Sequence, residues 1–206
     1  MKNSTTGKTT KAETTKKRIY EAGRELFIRY GIENVSVDAI VEKAVVAKGT
    51  FYIHYPTKDM LIAALIDDRV KQLDIDYKAH INSFPADTSA VDLLFALVEN
   101  IVQAMSVSIG YDMIRFVYTA LLSKSVDADR VSGYSRGVYA TFRHVIETGV
   151  IQGEFRADLD ADSIARHCVL SLRGLAYEWC IRYPDFDFRA QALRHFTLLL
   201  QGFVGR

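Results

Sequence analysis

Within ten residues the chain carries side chains of the kinds that contact a polyanion. Gly49 has no side chain, so the backbone there can approach a large partner closely. Thr50 and Tyr52 supply hydroxyl groups that donate and accept hydrogen bonds. His54 and Lys58 can meet phosphate oxygens, and Lys58 stands at a predicted helix start, where backbone N–H groups also attract phosphate. This combination predicts contact with nucleic acid, and a short surface helix with incidental polar residues is the alternative.

Helical periodicity on both sides of this segment indicates how its side chains are positioned. Apolar residues recur at helical spacing from Thr15 to Tyr30, and Gly31 then marks a helix end. Ser36 is a good N-cap for a short second helix, and residues 45–47 form the turn that leads into a third. A tight turn between two short helices predicts a helix-turn-helix, whose last helix can enter the major groove of DNA.

The stretch from Ala47 to Leu61 resembles the signature of the TetR/AcrR family of bacterial regulators, and the match extends over residues 15–62. The resemblance implies an all-helical homodimer with a variable C-terminal domain, which usually binds a small-molecule effector. It further implies a repressor that this ligand releases from a palindromic operator in double-stranded DNA. Side-chain chemistry and resemblance together give the predicted DNA-binding residues, which are Ser36, Lys48, Gly49, Thr50, Tyr52, His54 and Lys58.

Two residues of the turn depart from the family pattern. The family often has glycine where Val45 stands, and serine or threonine where Ala47 stands. Valine is strained at a positive φ, and alanine cannot cap a helix with its side chain, which costs about 1 kcal/mol. We therefore expect an altered turn and a weakened phosphate contact. By the same resemblance, Phe27 and Phe51 are expected in the core of the small domain.

Charge is distributed unevenly along the 206 residues, although the net charge is only +1. Residues 1–60 contain eleven Lys and Arg against seven Asp and Glu, whereas residues 61–206 contain fifteen against eighteen. This asymmetry and the motif predict a DNA-binding domain at 1–60 and a regulatory and dimerisation domain at 61–206. Residues 1–13, rich in Lys, Thr and Ser, are expected to form a mobile basic arm, which either attracts phosphate or merely solubilises the chain.

The remainder of the chain also favours helices. Hydrophobic residues make up 49% of the sequence, and only three residues are proline. Apolar residues recur at helical spacing between the predicted caps and breaks. The predicted fold is all-α with about nine helices, no strand and no internal repeat.

The last two predicted helices carry apolar stripes that indicate self-association. A monomer would bury one stripe and expose the other, so a two-fold four-helix interface is expected. The alternative is that both stripes are buried within one subunit. The predicted interface residues are Cys168, Leu172, Leu175, Trp179, Leu193, Phe196 and Leu200.

The middle helices bring polar and aromatic side chains into apolar stretches, as effector pockets do. Aromatic residues at helical spacing are also ordinary core residues, and a surface or ion-paired arginine is the plain alternative to one that fixes an anion. An unidentified small-molecule effector is the predicted partner of this region. The predicted effector-binding residues are Gln103, Tyr111, Arg115, Tyr118, His144, Arg173 and Tyr177.

Other classes of protein are disfavoured by the sequence. It has no Gly-rich phosphate loop, no metal-ligand spacing and no nucleophile motif, so we expect no enzyme, cofactor or metal. Cys168 and Cys180 are expected about 18 Å apart on one helix, so they cannot form a disulfide with each other. Two buried thiols are favoured over a redox sensor, because nothing basic and exposed is clearly arranged around either cysteine. No apolar run reaches the roughly 18–20 residues of a membrane span, so a cytoplasmic protein without membrane contact is expected. A non-specific nucleoid-coating or adaptor protein is the third class considered.

Overall fold

The computed structural model describes residues 10–124, 126–134, 136–158 and 160–204. In these ranges the chain forms ten α-helices, with a π-helical segment, Ala104–Ile109, directly after the fifth. The prediction of an all-α fold is confirmed. The α-helices are α1 (Lys11–Tyr30), α2 (Val37–Ala44), α3 (Lys48–His54), α4 (Lys58–Asn82), α5 (Ala90–Gln103), α6 (Tyr111–Leu122), α7 (Ala128–Ser132), α8 (Gly137–Ile151), α9 (Ala161–Arg182) and α10 (Phe188–Phe203).

One helix was not expected from the sequence. The five-residue helix α7 lies where a polar interval is predicted, and the Asp127 side chain caps it by accepting from the Asp129 N–H. Its shortness explains the difference, because a single turn carries too little apolar periodicity to be recognised.

The chain divides into two compact units, the first ending at Ile66 and the second beginning at Asp67. The predicted boundary near residue 60 falls slightly earlier, and both positions lie within α4. The assignment of DNA binding to the first unit and of regulation to the second stays a prediction.

The first unit is built around the side chains of α1, α2, α3 and the start of α4. Phe51 and Leu61 are fully buried, and Phe27 is only 4% exposed. Gly23 lies so close to α4 that an added Cβ would be 2.7 Å from Leu61 Cδ2. The expected core positions of Phe27 and Phe51 are therefore confirmed.

Helix α1 begins earlier than the sequence predicts. The Thr10 side chain accepts from the Glu13 N–H at 3.2 Å, and the Glu13 carboxylate accepts from the Thr10 N–H at 2.6 Å. This reciprocal capping box starts the helix at Lys11, so residues 10–13 do not belong to the predicted basic arm. The remainder of that arm, residues 1–9, lies outside the described residues.

The second unit has a large apolar core formed chiefly by α5, α8, α9 and α10. Leu94, Leu97 and Val98 of α5 are fully buried, and the rings of Phe142 and Phe196 stack at 6.2 Å between centroids. The continuous helical stretch Ala90–Ile109 is long and apolar enough to cross a membrane by length and composition alone. Its most apolar face fills this core, so we interpret it as a core helix.

Candidate nucleic-acid interface

The turn between α2 and α3 depends on a valine in a left-handed conformation. Val45 has φ 53° and ψ 54°, so the residue that the sequence marked as strained adopts the conformation that glycine favours. Arg18 of α1 holds this turn, because its Nη2 donates to the carbonyl oxygens of Ala44 and Val45, the latter at 2.8 Å. The positive charge of Arg18 at the C-terminal end of α2 also interacts favourably with the helix dipole.

The N-caps of α2 and α3 differ, as the sequence predicts. The Ser36 hydroxyl accepts from the Ala39 N–H at 3.1 Å, so this predicted DNA-binding side chain caps α2. Ala47 stands at the N-cap of α3 and makes no side-chain hydrogen bond there, which confirms the missing cap. The first turn of α3 is instead closed by the Ala47 carbonyl oxygen, which accepts from the N–H groups of Thr50 and Phe51 at 2.9 and 3.3 Å.

Helix α3 is anchored by one side chain and open elsewhere. Phe51 is fully buried and contacts the Tyr55 ring at 6.1 Å between centroids. Tyr52 is 45% exposed, Gly49 has open space around its Cα, and Thr50 and His54 are half-buried. The predicted contact residues of α3 therefore lie together on a short helix that presents an accessible surface.

The two predicted lysine contacts have partners within the protein. Lys48 Nζ lies 2.7 Å from Asp38 Oδ1, and this hydrogen bond and charge raise the pKa of Lys48. Lys58 Nζ donates to the carbonyl oxygens of Ile32 and Val35 at 2.9 and 3.0 Å. Lys58 thus closes the loop between α1 and α2, and one of its three N–H groups is left for a phosphate.

Sequence reasoning missed Ile53. This side chain is 79% exposed on α3, next to Tyr52. An exposed branched apolar side chain on a groove-binding helix can contact the C5-methyl group of thymine. The signal was present in the sequence, because Ile53 follows the buried Phe51 by two positions and must point away from it on a helix.

The predicted dimer interface needs correction. Four of its side chains are at most 6% exposed in a single chain and cannot gain contacts from a second one. For these four, burial within one subunit is the correct alternative. The other three are half-buried and pack against the same core. The buried four are Cys168, Leu172, Trp179 and Phe196, and the half-buried three are Leu175, Leu193 and Leu200.

Other apolar side chains of α9 and α10 are open to solvent. Leu170, Tyr177 and Ile181 are 44%, 45% and 59% exposed and follow one another at helical spacing along α9. Gly174 lies between them with open space around its Cα. On α10, Leu198 is 60% exposed. We call these five residues the exposed stripe.

The predicted effector-binding residues do not line one cavity. Gln103, Arg115, His144 and Tyr177 are exposed. Two of the others, Tyr111 and Tyr118, lie between α6 and α9. There the Tyr118 hydroxyl donates to the Arg173 carbonyl at 2.7 Å and the Tyr111 hydroxyl to the Cys180 carbonyl at 3.3 Å. Tyr111 and Tyr118 thus hold α6 against α9, and burial raises the pKa of Tyr118. The Arg173 side chain instead donates from Nη2 to the Ser132 carbonyl oxygen at 2.7 Å.

The second unit contains a cavity of about 140 Å³ that none of these seven residues lines. It is formed near the start of α8 and the first turns of α9. Its walls include Tyr134, Arg136, Tyr139, Arg143, Asp162 and Arg166. Arg173 contributes indirectly, because its guanidinium lies 5.6 Å from the centroid of the Tyr139 ring.

Neither cysteine has the properties of a redox sensor. Cys168 is fully buried, and burial raises the pKa of its thiol to about 12. Burial also raises the pKa of Cys180. Reactive cysteines instead have a lowered pKa, because the thiolate is the nucleophile. Among the described residues, no group of three or more His, Cys, Asp or Glu side chains is placed to hold a metal ion.

Comparisons with known proteins agree with the geometry of the first unit. The sequence profile "Bacterial regulatory proteins, tetR family" matches residues 19–65. The HTH-type transcriptional regulator SrpR of Pseudomonas putida is 25% identical over 167 residues, which are 81% of this chain and 76% of SrpR.

Solved structures share the complete fold. A TetR-family transcriptional regulator from Pectobacterium atrosepticum is similar with a TM-score of 0.76 at 20% identity, over 96% of this chain and 98% of its own. FadR of Thermus thermophilus, a TetR-family repressor in complex with lauroyl-CoA, is similar with a TM-score of 0.69 at 19% identity. That likeness covers 93% of this chain and 96% of FadR.

Proposed function

The chain belongs to the TetR family of ligand-responsive, DNA-binding transcriptional regulators, which are not enzymes, and from this premise we propose that it is a cytoplasmic homodimeric repressor. Each subunit places α3 in the major groove of a palindromic operator in double-stranded DNA. A small molecule bound by the second unit lowers the affinity for the operator.

The observation that carries this proposal is the presentation of α3. Phe51 fixes the helix from its buried side, while Gly49, Tyr52 and Ile53 leave the opposite side open. A major groove about 12 Å wide accepts one helix, and an open, mixed polar and apolar face can read base edges. The buried ring is what makes this surface rigid, because it holds α3 on the core of the first unit.

Each predicted DNA-contact residue is assigned to bases or to phosphates according to the contacts that its side chain can still make. Thr50, Tyr52 and His54 are assigned to bases or phosphates on α3, and Ile53 is assigned to a thymine methyl group. Lys48 is assigned to the phosphate backbone, where the charge of Asp38 reduces its contribution. Lys58 is assigned one phosphate contact, through the N–H group that the carbonyl oxygens of Ile32 and Val35 do not use. Ser36 holds the start of α2, and Gly49 allows close approach of the backbone.

Operator selection requires two copies of α3. Two recognition helices enter successive major grooves when they are about 34–36 Å apart, and a rigid pairing of subunits fixes that distance. We assign this pairing to the exposed stripe, Leu170, Gly174, Tyr177 and Ile181 of α9 with Leu198 of α10. Gly174 permits close approach of two backbones, and four exposed apolar side chains gain burial when a second copy covers them.

Selection of duplexes from a random pool by the full-length protein tests this function. We expect enrichment of one inverted repeat and a complex that contains two chains per duplex by native mass spectrometry. The variant Tyr52→Ala/Ile53→Ala should lose the enrichment. The matched control Tyr30→Ala/Ile28→Ala alters two equally exposed residues of α1 and should keep it. Enrichment of no sequence would instead favour a non-specific nucleoid-coating protein.

A further inference from the structure

One ion pair joins the two helices of the helix-turn-helix. Lys48, the first residue of α3, places its Nζ 2.7 Å from Oδ1 of Asp38, which lies in the first turn of α2. Both side chains are more than half exposed. The Asp38 carboxylate is not needed to cap α2, because the Ser36 hydroxyl accepts from the Ala39 N–H. The pair is therefore available to a partner on the surface that we assign to DNA.

The position of the pair favours contact with base edges. In a helix-turn-helix the N-terminal residues of the recognition helix reach the bases in the major groove. Lys48 opens α3, and Gly49 beside it has open space around its Cα, so the backbone there can approach the bases closely. An isolated carboxylate would be repelled by the phosphates of DNA. Paired with Lys48, Asp38 enters the groove as part of a group without net charge.

The hydrogen-bonding groups of the pair match one kind of base pair. An ammonium group has three N–H groups, so Lys48 keeps two after donating to Asp38, and the second carboxylate oxygen of Asp38 is an acceptor. Across the major groove a G·C pair presents two guanine acceptors, N7 and O6, followed by the cytosine N4 donor. An A·T pair instead alternates acceptor, donor and acceptor. Two neighbouring N–H groups and a carboxylate can therefore all be satisfied by G·C but not by A·T.

We propose that Asp38 is a specificity-determining residue, which together with Lys48 reads one G·C pair in each half of the operator. Lys48 donates to N7 and O6 of the guanine, and Asp38 accepts from N4 of the cytosine. This inference rests on the proposed function, because it names a base pair that the same interface reads.

The same carboxylate opposes binding to other sequences. Where A·T replaces G·C, Asp38 faces the O4 acceptor of thymine, and no hydrogen bond offsets its charge. On such DNA Lys48 makes only the phosphate contact that Asp38 weakens. Discrimination consequently combines an attractive and a repulsive element, as specific interfaces commonly do.

Selection of duplexes by the full-length protein and by two variants of Asp38 tests this role. The parent protein should enrich a repeat with one invariant G·C pair in each half. Asp38→Ala should still enrich the repeat, but its preference for G·C over A·T at that position should fall about tenfold. Asp38→Asn keeps an oxygen that can accept from cytosine, so it should retain the G·C preference although the charge is lost.

Base analogues in the selected operator identify the atoms that are read. Replacing the invariant guanine with 7-deazaguanine, which lacks the N7 acceptor, should weaken binding of the parent protein about tenfold. Inosine lacks only the guanine amino group in the minor groove, so it should leave the affinity within about twofold. Lys48→Met has no amine, so it should bind the guanine and the 7-deazaguanine duplex with equal affinity.

Binding to random duplex measures the opposing effect of Asp38. Without the carboxylate Lys48 can pair fully with a phosphate, so Asp38→Ala should bind random duplex about fivefold more tightly, with a salt dependence steeper by about one unit of slope per subunit. The matched control Glu25→Ala frees Lys43 from a similar pair that does not include α3, and it should keep this affinity within about twofold. Exposed ion pairs contribute little to stability, so both variants should melt close to the parent protein.

Three results would overturn the role of Asp38 and leave the proposed function intact. They are a parent protein that enriches a repeat without an invariant G·C pair, an Asp38→Ala protein that keeps the parent's preference for G·C, and an operator affinity that no 7-deazaguanine substitution changes. A parent protein that enriches no repeat would instead overturn the proposed function, and this role of Asp38 with it.

Discussion

The guanidinium of Arg18 lies against the carbonyl of Val45, with 2.8 Å between Nη2 and the carbonyl oxygen. This contact joins α1 to the turn that precedes the recognition helix. Val45 is one of only two residues other than glycine that have a positive φ in the described ranges. Arg18 therefore stabilises a turn that the Val45 backbone by itself disfavours.

Replacing Val45 with glycine should stabilise the protein. A β-branched residue in the left-handed region costs about 1–2 kcal/mol, and Val45 is 77% exposed, so little burial is lost with its side chain. We expect the free energy of unfolding of Val45→Gly to rise by about 1 kcal/mol in urea denaturation followed by circular dichroism. Val46→Gly, next to it without a positive φ, should lower the free energy of unfolding. A Val45→Gly protein no more stable than the parent would show that the turn is unstrained.

Replacing Lys58 with alanine separates a phosphate contact from a structural role. The two carbonyl oxygens of Ile32 and Val35 lose their partner, so the free energy of unfolding should fall by about 1–2 kcal/mol. If the third N–H group meets a phosphate, a salt titration of operator affinity should also lose about one unit of slope. The control Lys43→Ala, whose amine pairs with Glu25, should change neither quantity appreciably. An unchanged slope with reduced stability would remove Lys58 from the DNA contacts.

Replacing Ile53 with alanine should remove sensitivity to one thymine methyl group. The measurement compares operator duplexes in which each thymine in turn is replaced by uracil, which lacks the C5-methyl group. The parent protein should lose roughly fivefold in affinity at one symmetric pair of positions. Ile53→Ala should bind the thymine-containing and the uracil-containing duplex with equal affinity. The control Ile28→Ala, which alters an equally exposed isoleucine of α1, should prefer thymine as the parent protein does. A preference that persists in Ile53→Ala would place this side chain outside the groove.

Placing charges on the exposed stripe should separate the subunits. Leu170→Glu/Ile181→Glu would bury two carboxylates from each subunit in the dimer, and we expect the dimer dissociation constant to rise about 100-fold or more in sedimentation. The monomer should stay helical, because both side chains lie outside the core. Ile151→Glu, at a residue 85% exposed at the end of α8, is the control and should leave the dimer intact. An intact dimer in the double variant would mean that the subunits pair through another surface.

The helix-turn-helix was predictable because its signals are local. Gly31 ends α1, Ser36 caps α2 and Pro56 follows α3, so each boundary depends on residues next to it in sequence. The strain at Val45 was also predictable, since it follows from the conformation that the turn requires. The support from Arg18 was not, because 27 residues separate the two partners.

The apolar faces of α9 show where sequence reasoning stops. Two stripes run along this helix, one through Leu172 and Trp179 and one through Leu170 and Ile181, and both are apolar at helical spacing. The pattern alone cannot tell which of them faces the core, because that depends on how α9 packs against its neighbouring helices. The cavity near the start of α8 is likewise a product of tertiary contacts, since its wall residue Arg136 donates to Asp74, which lies 62 residues away in sequence.

Hydroxyl-radical footprinting on the selected operator tests the central claim most directly, that two copies of α3 grip one palindrome. We predict two protected regions on one face of the duplex, with centres about 34–36 Å apart. The protection should require both the accessible α3 surface and the exposed stripe, so Tyr52→Ala/Ile53→Ala and Leu170→Glu/Ile181→Glu should each abolish it. A single protected region, or uniform protection without a repeat, would contradict the account.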